Sequence, residues 1–150
     1  MSVFVDTNVI LRSIEPGDPS HAPAVRAITA LMKTGEPVVI TPQIVAEFWN
    51  VATRPRERNG IGLTTEQAQA ELDEIESFFD VVLESRDVYR EWKQLVTFYK
   101  VRGVEAHDAR LVAAMKVHGI SRILTFNTKD FVRYGDIEAL HPNSIEQGTI

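Results

Sequence analysis

The apolar residues of this chain are grouped in short runs that are separated by longer segments of helical periodicity. Between most of the runs, apolar residues recur at every third or fourth position, which is typical of helices with one buried face. Strands that alternate with helices favour an α/β fold with a parallel sheet. We therefore predict a single α/β domain in which a mainly parallel sheet of four to five strands is flanked by helices. The predicted strands cover residues 3–5, 38–40, 81–83 and 123–125, with a weaker one at 137–140.

Capping and turn residues predict several of the helix boundaries. Thr41 is followed by Pro42, a combination typical of a capping residue and the first turn of a helix. Thr64 and Gln67 have the spacing of a capping box, which predicts a helix after Thr64. Glycine commonly ends a helix, and three glycines follow helical patterns here: Gly35, Gly103 and Gly119.

The length and composition suit one domain over residues 1–150, since 150 residues that are 44% apolar can form an ordinary core. No apolar run approaches the roughly 18 residues of a membrane span, and the amino terminus shows no signal-peptide pattern. The absence of cysteine excludes disulfides and thiolate chemistry and suits a reducing compartment. We expect a cytoplasmic protein with no membrane association.

The charge balance of the chain limits its partners only weakly. With 16 basic and 21 acidic residues, the formal net charge of −5 argues against a protein that coats nucleic acid broadly. A nuclease is compatible with this charge, because bound metal offsets acidic groups where a phosphate must lie. The chain also lacks the glycine-rich motifs of P-loop NTPases and of dinucleotide-binding domains, which argues against both classes.

Three acidic residues lie in apolar surroundings far apart along the chain: Asp6, Glu47 and Asp108. Carboxylates rarely enter a protein core unless they are paired or hold a cation. If these three converge, they form a hard-oxygen site suited to Mg²⁺ or Mn²⁺.

Asp6 and Glu47 each have a simpler interpretation beside the metal site. Asp6 follows a predicted strand, where it could cap a helix over residues 8–14 or join a site at the carboxyl end of the sheet. Glu47 borders an apolar stripe that contains Ile44 and Phe48, a position that surface glutamates often take. Neither position decides between the two interpretations by itself.

The position of Asp108 indicates a functional role more clearly than the positions of Asp6 and Glu47 do. On a helix predicted over residues 106–118, the positions three, four and seven residues later are Leu111, Val112 and Met115, so Asp108 lies on the core-facing stripe. An aspartate that serves only the helix dipole need not face the core. We therefore favour a functional role for Asp108.

A fourth candidate follows the predicted strand at residues 123–125. There Asn127 or Thr128 could cap a short helix, with Asp130 as an ordinary acid in its first turn. Because the segment follows a strand, it also belongs at the sheet edge that carries Asp6.

Four short motifs, taken in order, resemble the PIN domain, a metal-dependent ribonuclease fold that includes the VapC-type toxins of toxin–antitoxin pairs. The likeness extends over residues 2–141. One departure concerns Asn127, because many family members have an acid at that position. Either Asn127 or Asp130 therefore completes the site. The motifs are Val5-Asp6-Thr7-Asn8, Val45-Ala46-Glu47, His107-Asp108-Ala109 and Leu124-Thr125-Phe126-Asn127-Thr128-Lys129-Asp130-Phe131.

The resemblance implies an Mg²⁺- or Mn²⁺-dependent endoribonuclease that hydrolyses RNA phosphodiester bonds, as the toxin of a type II toxin–antitoxin pair. It implies that Asp6, Glu47 and Asp108 bind one or two ions, and that Thr7 and Asn8 orient Asp6. It also implies an antitoxin partner and a homodimer. Two alternatives stay open: an RNA-processing PIN nuclease without an antitoxin, and a catalytically degenerate PIN domain retained for binding.

A local group of arginines is the candidate RNA contact. Arg54, Arg56 and Arg58 precede Gly60 and Gly62, and we expect this mobile loop to contact RNA phosphates. The alternative is an ordinary exposed polar loop.

Overall fold

The computed structural model describes residues 2–145, and within that range five strands form one parallel sheet. The strand order is β3-β2-β1-β4-β5, and every neighbouring pair is parallel. The predicted α/β class, with a parallel sheet flanked by helices, is confirmed. The strands are β1 (Val3–Val5), β2 (Val38–Ile40), β3 (Asp80–Val81), β4 (Arg122–Leu124) and β5 (Glu138–Leu140).

Six helices flank this sheet in the described range. Helix α1 packs against both α2 and α3, α3 packs against α4, and α5 packs against α6. The chain moves from β1 to β3 in one direction and returns past β1 to β4. Because crossovers between parallel strands are almost always right-handed, we expect this reversal to place the two groups of helices on opposite faces of the sheet. The helices are α1 (Thr7–Ser13), α2 (His21–Lys33), α3 (Pro42–Thr53), α4 (Thr65–Phe78), α5 (Arg86–Phe98) and α6 (Glu105–Val117). Short 3₁₀ turns cover Arg56–Arg58, Thr128–Phe131 and Pro142–Ser144.

The predicted helix starts after Thr41 and Thr64 are confirmed. The Thr41 hydroxyl accepts a hydrogen bond from the Ile44 backbone N–H at 3.3 Å, at the start of α3. Both halves of the capping box between Thr64 and Gln67 are present at the start of α4.

Two of the three predicted glycine stops are confirmed. Gly35 and Gly119 have φ angles of +77° and +68° just after α2 and α6. The prediction for Gly103 is wrong, because α5 already ends at Phe98 and Lys100 takes the left-handed conformation with φ +52°.

The core is built around the central strands. All three residues of β1 and of β2 are buried, and Phe4, Phe48, Phe131 and Tyr134 are among the largest fully buried side chains. From β1 the sheet continues to β2 on one side and to β4 on the other. Such a reversal opens a crevice at the carboxyl ends of the two strands, where open α/β sheets bind their ligands. No helix within residues 2–145 is long and apolar enough to cross a membrane.

Candidate metal centre

Asp6 lies at the carboxyl end of β1 and is only 8% exposed. Its Oδ1 accepts a hydrogen bond from the Thr7 backbone N–H at 2.8 Å. Its Oδ2 accepts hydrogen bonds from the Thr125 hydroxyl at 2.8 Å and from Asn8 Nδ2 at 3.3 Å. Asp6 occupies the N-cap position of α1, yet two of its three donors are the side chains of Asn8 and Thr125 rather than backbone N–H groups of the first turn. Helix capping therefore does not account for the orientation of this carboxylate.

Asn8 and Thr125 join the ends of β1 and β4. The Asn8 Oδ1 accepts a hydrogen bond from the Phe126 backbone N–H at 3.1 Å, and its Nδ2 also donates to the Thr125 hydroxyl at 3.3 Å. Thr125 is fully buried, and its hydroxyl accepts a further hydrogen bond from the Asn127 backbone N–H at 3.1 Å. Asp6 is thus held in a polar network that spans the two central strands.

Glu47 faces the same network from α3. Its Oε2 accepts a hydrogen bond from the Thr7 hydroxyl at 2.7 Å, and its Oε1 accepts one from Gln43 Nε2 at 3.0 Å. Thr7 therefore bridges the two carboxylates, because its backbone N–H donates to Asp6 and its hydroxyl donates to Glu47.

Asp108 lies in the first turn of α6 and is partly buried. Within the part of the chain that the structure describes, no donor hydrogen-bonds to its carboxylate. Burial, which is the largest cause, and the negative charges of Asp6, Asp130, Glu47 and Glu105 together raise the pKa of Asp108 from 3.8 to about 7. A helix N-terminus stabilises the charged form of an acid and would lower its pKa, so this upward shift is opposite to the effect of the helix dipole.

The pKa of Asp6 is also raised, in part by charges that act on Asp108. Burial is the largest cause that raises the pKa of Asp6, and the charges of Glu47 and Asp130 add to it. The hydrogen bonds from Thr125 and Thr7 act in the opposite direction. Asp6, Glu47, Asp108 and Asp130, which we call the acidic cluster, therefore face a common space at the carboxyl edge of the sheet.

We expect the metal-free protein to be more stable at about pH 5.5 than at about pH 8. The pKa of Asp108 rises from 3.8 to about 7 on folding, so the folded state binds more protons than the unfolded state between these values, and stability falls as pH rises through that window. Because Asp108 is only partly buried, we expect a difference on the order of 1 kcal/mol, or roughly 2–4 °C in Tm. Thermal melts of the metal-free protein measure it. Asp108→Asn should lose most of this pH dependence, and a Tm that increases toward pH 8 would contradict the argument.

The donor chemistry of the acidic cluster fits Mg²⁺ or Mn²⁺, since both prefer carboxylate oxygens. Among residues 2–145, no lysine or arginine forms an ion pair with any of the four carboxylates. In the same range, no three Asp, Glu, His or Cys side chains are arranged to hold one ion by themselves. Mg²⁺ keeps several of its waters and needs only one or two carboxylates, so a loosely spaced cluster is compatible with it.

The segment after β4 provides two candidates for the fourth group of the site, the amide of Asn127 and the carboxylate of Asp130. Asn127 and Asp130 are both exposed, and they are joined by the hydrogen bond from the Asp130 N–H to the Asn127 carbonyl oxygen at 3.0 Å. The charge of Asp130 acts on both Asp6 and Asp108. Asp130 is therefore electrostatically part of the site.

The arginine segment is anchored to the end of α3. The N–H groups of Ile61, Gly62 and Leu63 donate to carbonyl oxygens within residues 51–54. A Cβ atom on Gly60 would lie 1.9 Å from the Arg54 carbonyl oxygen, so only glycine fits there. The segment is thus a closely packed turn rather than a loose loop, and its contact with RNA stays a prediction.

Two residues of the network, Gln43 and Thr125, were not identified as site residues from the sequence. Thr125 lies inside the closing motif, but the sequence predicts it only as the last residue of a strand. Gln43 precedes Glu47 by one helical turn of α3, and this spacing was the only signal for it.

A family model for the PIN domain matches residues 3–137 of the chain. The chain belongs to the PIN domain family. No curated protein sequence matched it. The suspected resemblance to the PIN domain is therefore confirmed.

Solved structures of toxin–antitoxin proteins share this fold. The chain is similar to VapBC-1 from nontypeable Haemophilus influenzae, with TM-score 0.72, 15% identity, and coverage of 95% of this chain and 99% of that one. It is also similar to VapBC2 from Rickettsia felis bound to a promoter DNA fragment, with TM-score 0.70, 17% identity and coverage of 94% and 98%. A third is Mycobacterium tuberculosis VapC20, described as a sarcin–ricin loop cleaving toxin, with TM-score 0.64, 20% identity and coverage of 87% and 94%. At these identities the likeness establishes the fold.

Proposed function

We propose that this PIN domain is a metal-dependent endoribonuclease and the toxin of a type II toxin–antitoxin pair. The observation that carries the proposal is the acidic cluster, in which the charges of neighbouring carboxylates help to raise the pKa of Asp6 and of Asp108. None of the four carboxylates forms an ion pair with a lysine or arginine among residues 2–145. Perturbed carboxylates at the carboxyl edge of an α/β sheet are strong candidates for a functional site.

Asp6, Glu47 and Asp108 would hold one or two divalent ions, with a fourth group from Asp130 or Asn127. The bound ion would supply a water of lowered pKa and stabilise the charge that develops on the scissile phosphate. Thr7 and Asn8 orient the Asp6 carboxylate through their hydrogen bonds, and Thr7 also orients Glu47. The negative charge of the cluster also requires a cation before a phosphate can approach.

The similar solved structures support the proposal of an antitoxin partner. The similar solved structures include VapBC complexes, and we propose that this chain likewise binds a cognate antitoxin and forms a homodimer in the cytoplasm. We further propose that Arg54, Arg56 and Arg58 contact RNA phosphates at the end of α3.

Sequencing of RNA 5′ ends after induced expression tests the function most directly. Wild-type protein should produce new 5′ ends at defined sites, whereas Glu47→Gln should produce few or none. Co-expression of a small protein encoded beside this chain should suppress both cleavage and growth arrest. Equal cleavage patterns in the wild type and Glu47→Gln would contradict the proposal.

We expect Asn127 and Asp130 to contribute unequally to cleavage. Asn127 lies three residues after the end of β4, whereas the charge of Asp130 acts on Asp6 and Asp108, so removal of Asp130 should lower metal affinity more. Asn127→Ala and Asp130→Ala should therefore be compared in a Mg²⁺-dependent cleavage assay. Equal and complete loss in both variants, or no loss in either, would refute this expectation.

A further inference from the structure

Gln43 links the two helices that carry Glu47 and Asp108. Its Nε2 donates one hydrogen bond to Glu47 Oε1 and one to the His107 carbonyl oxygen, both at 3.0 Å. An amide nitrogen carries two hydrogens, so both are used. Gln43 is 7% exposed, and water has little access to this contact.

The two acceptors connect Gln43 to both acidic residues. Gln43 and Glu47 are one turn apart on α3, so their side chains lie on the same face. The His107 carbonyl belongs to the peptide group whose nitrogen is that of Asp108. One side chain therefore joins the Glu47 carboxylate to the backbone of the residue that carries the Asp108 carboxylate.

This side chain is poorly suited to a role in stability alone. Its Oε1 is buried and has no hydrogen-bond partner within residues 2–145. An unpaired buried acceptor lowers stability. The His107 carbonyl also lies inside α6, where it can accept the helical bond from four residues later, and the partly buried Glu47 reaches solvent. Removal of the amide would therefore leave no fully buried group newly unpaired.

We propose that Gln43 is a positioning residue for the metal centre, which sets the orientation of Glu47 and its spacing from Asp108. The Thr7 hydroxyl holds the other oxygen of Glu47 at 2.7 Å, so the carboxylate is fixed at both ends. The proposal rests on the proposed metal-dependent function. Residues that orient metal ligands typically change metal affinity by about 10–100-fold when they are removed.

Calorimetric titration of the metal-free protein with Mg²⁺ or Mn²⁺ tests this role. Gln43→Met keeps the length of the side chain and removes the amide. It should raise the Kd for the ion by about 10–100-fold, while its metal-free Tm stays close to that of the wild type. The Mg²⁺ dependence of RNA cleavage should move to higher concentration by a similar factor.

Gln67→Met is a matched control, because the Gln67 side chain takes part in the capping box of α4 and in no other hydrogen bond within residues 2–145. It should lower the metal-free Tm and leave the Kd unchanged. An unchanged Kd in Gln43→Met would overturn the proposal for Gln43, as would a variant that fails to fold. A wild-type protein that binds neither ion would instead defeat the proposed function itself, and the role of Gln43 with it.

Discussion

Asp108→Asn should abolish most RNA cleavage without destabilising the metal-free protein. The substitution preserves the shape of the side chain but removes one negative charge from the acidic cluster, where burial and neighbouring charges raise the pKa of Asp108 to about 7. Metal-free protein should therefore be at least as stable as the wild type at about pH 8, since repulsion is relieved. With Mg²⁺, a lost ligand charge should weaken metal binding and slow cleavage by at least about 100-fold.

A first-turn aspartate elsewhere in the chain provides the control for this variant. Asp87 is exposed in the first turn of α5, where an acid favours the helix dipole. Asp87→Asn should lose about 0.3–1 kcal/mol and cleave RNA normally. Thermal melts with and without Mg²⁺, paired with a cleavage assay, separate the two cases. If Asp108→Asn behaves like Asp87→Asn, Asp108 is only a helix-terminal acid and the metal centre is refuted.

The elements of the fold could be predicted because local signals agree with the packing. All residues of β1 and of β2 are buried, so the continuous apolar runs of these strands were visible in the sequence. The caps at Thr41 and Thr64 are local interactions within four residues, and both were predicted. The prediction for Gly103 was wrong because its positive φ angle belongs to the turn before α6, whereas α5 ends at Phe98 and Lys100 takes the left-handed conformation after it. A glycine after a helical pattern does not reveal which residue ends the helix.

Local sequence patterns do not predict the order of the strands in the sheet. The sequence indicates five strands, but the pairing of β1 with β4 depends on packing across more than a hundred residues. That pairing brings Thr125 to Asp6 and Asn8 to Phe126. For this reason the acids, together with Thr7 and Asn8, were predicted as site residues, whereas Thr125 and Gln43, which hydrogen-bond to Asp6 and Glu47, were not.

The role of Gln43 could not be predicted from the local sequence of α3 either. A glutamine one turn before a glutamate is common on helix surfaces, and its burial depends on the approach of α6. The raised pKa of Asp108 likewise depends on residues from three other elements. Motif order was sufficient to indicate the family, but the interactions that tune the carboxylates are visible only in three dimensions.

Thr125→Val should cause the largest loss of stability among changes to the polar network, and the loss should depend on pH. The Thr125 hydroxyl donates to Asp6 Oδ2 and accepts from Asn8 and the Asn127 N–H, all in a fully buried position. Valine keeps the shape of the side chain but removes the hydroxyl, so Asp6, Asn8 and the Asn127 N–H each lose one hydrogen bond. Hydrogen bonds to charged groups contribute about 1.5–3 kcal/mol, so we expect a loss of roughly 2–3 kcal/mol at about pH 8.

The pH dependence of this loss identifies its cause. The hydrogen bond from Thr125 lowers the pKa of Asp6, which burial raises above 3.8, so its removal should raise that pKa further. The charged form is then penalised at high pH, and the penalty should shrink as pH falls and Asp6 takes up a proton. Thr41→Val is the matched control, because Thr41 is a buried threonine after β2 whose hydroxyl caps α3. It should lose about 0.5–2 kcal/mol at both pH values. Denaturant unfolding of both variants at about pH 5 and about pH 8 measures the difference, and equal losses for Thr125→Val at the two pH values would show that its hydroxyl does not stabilise the Asp6 charge.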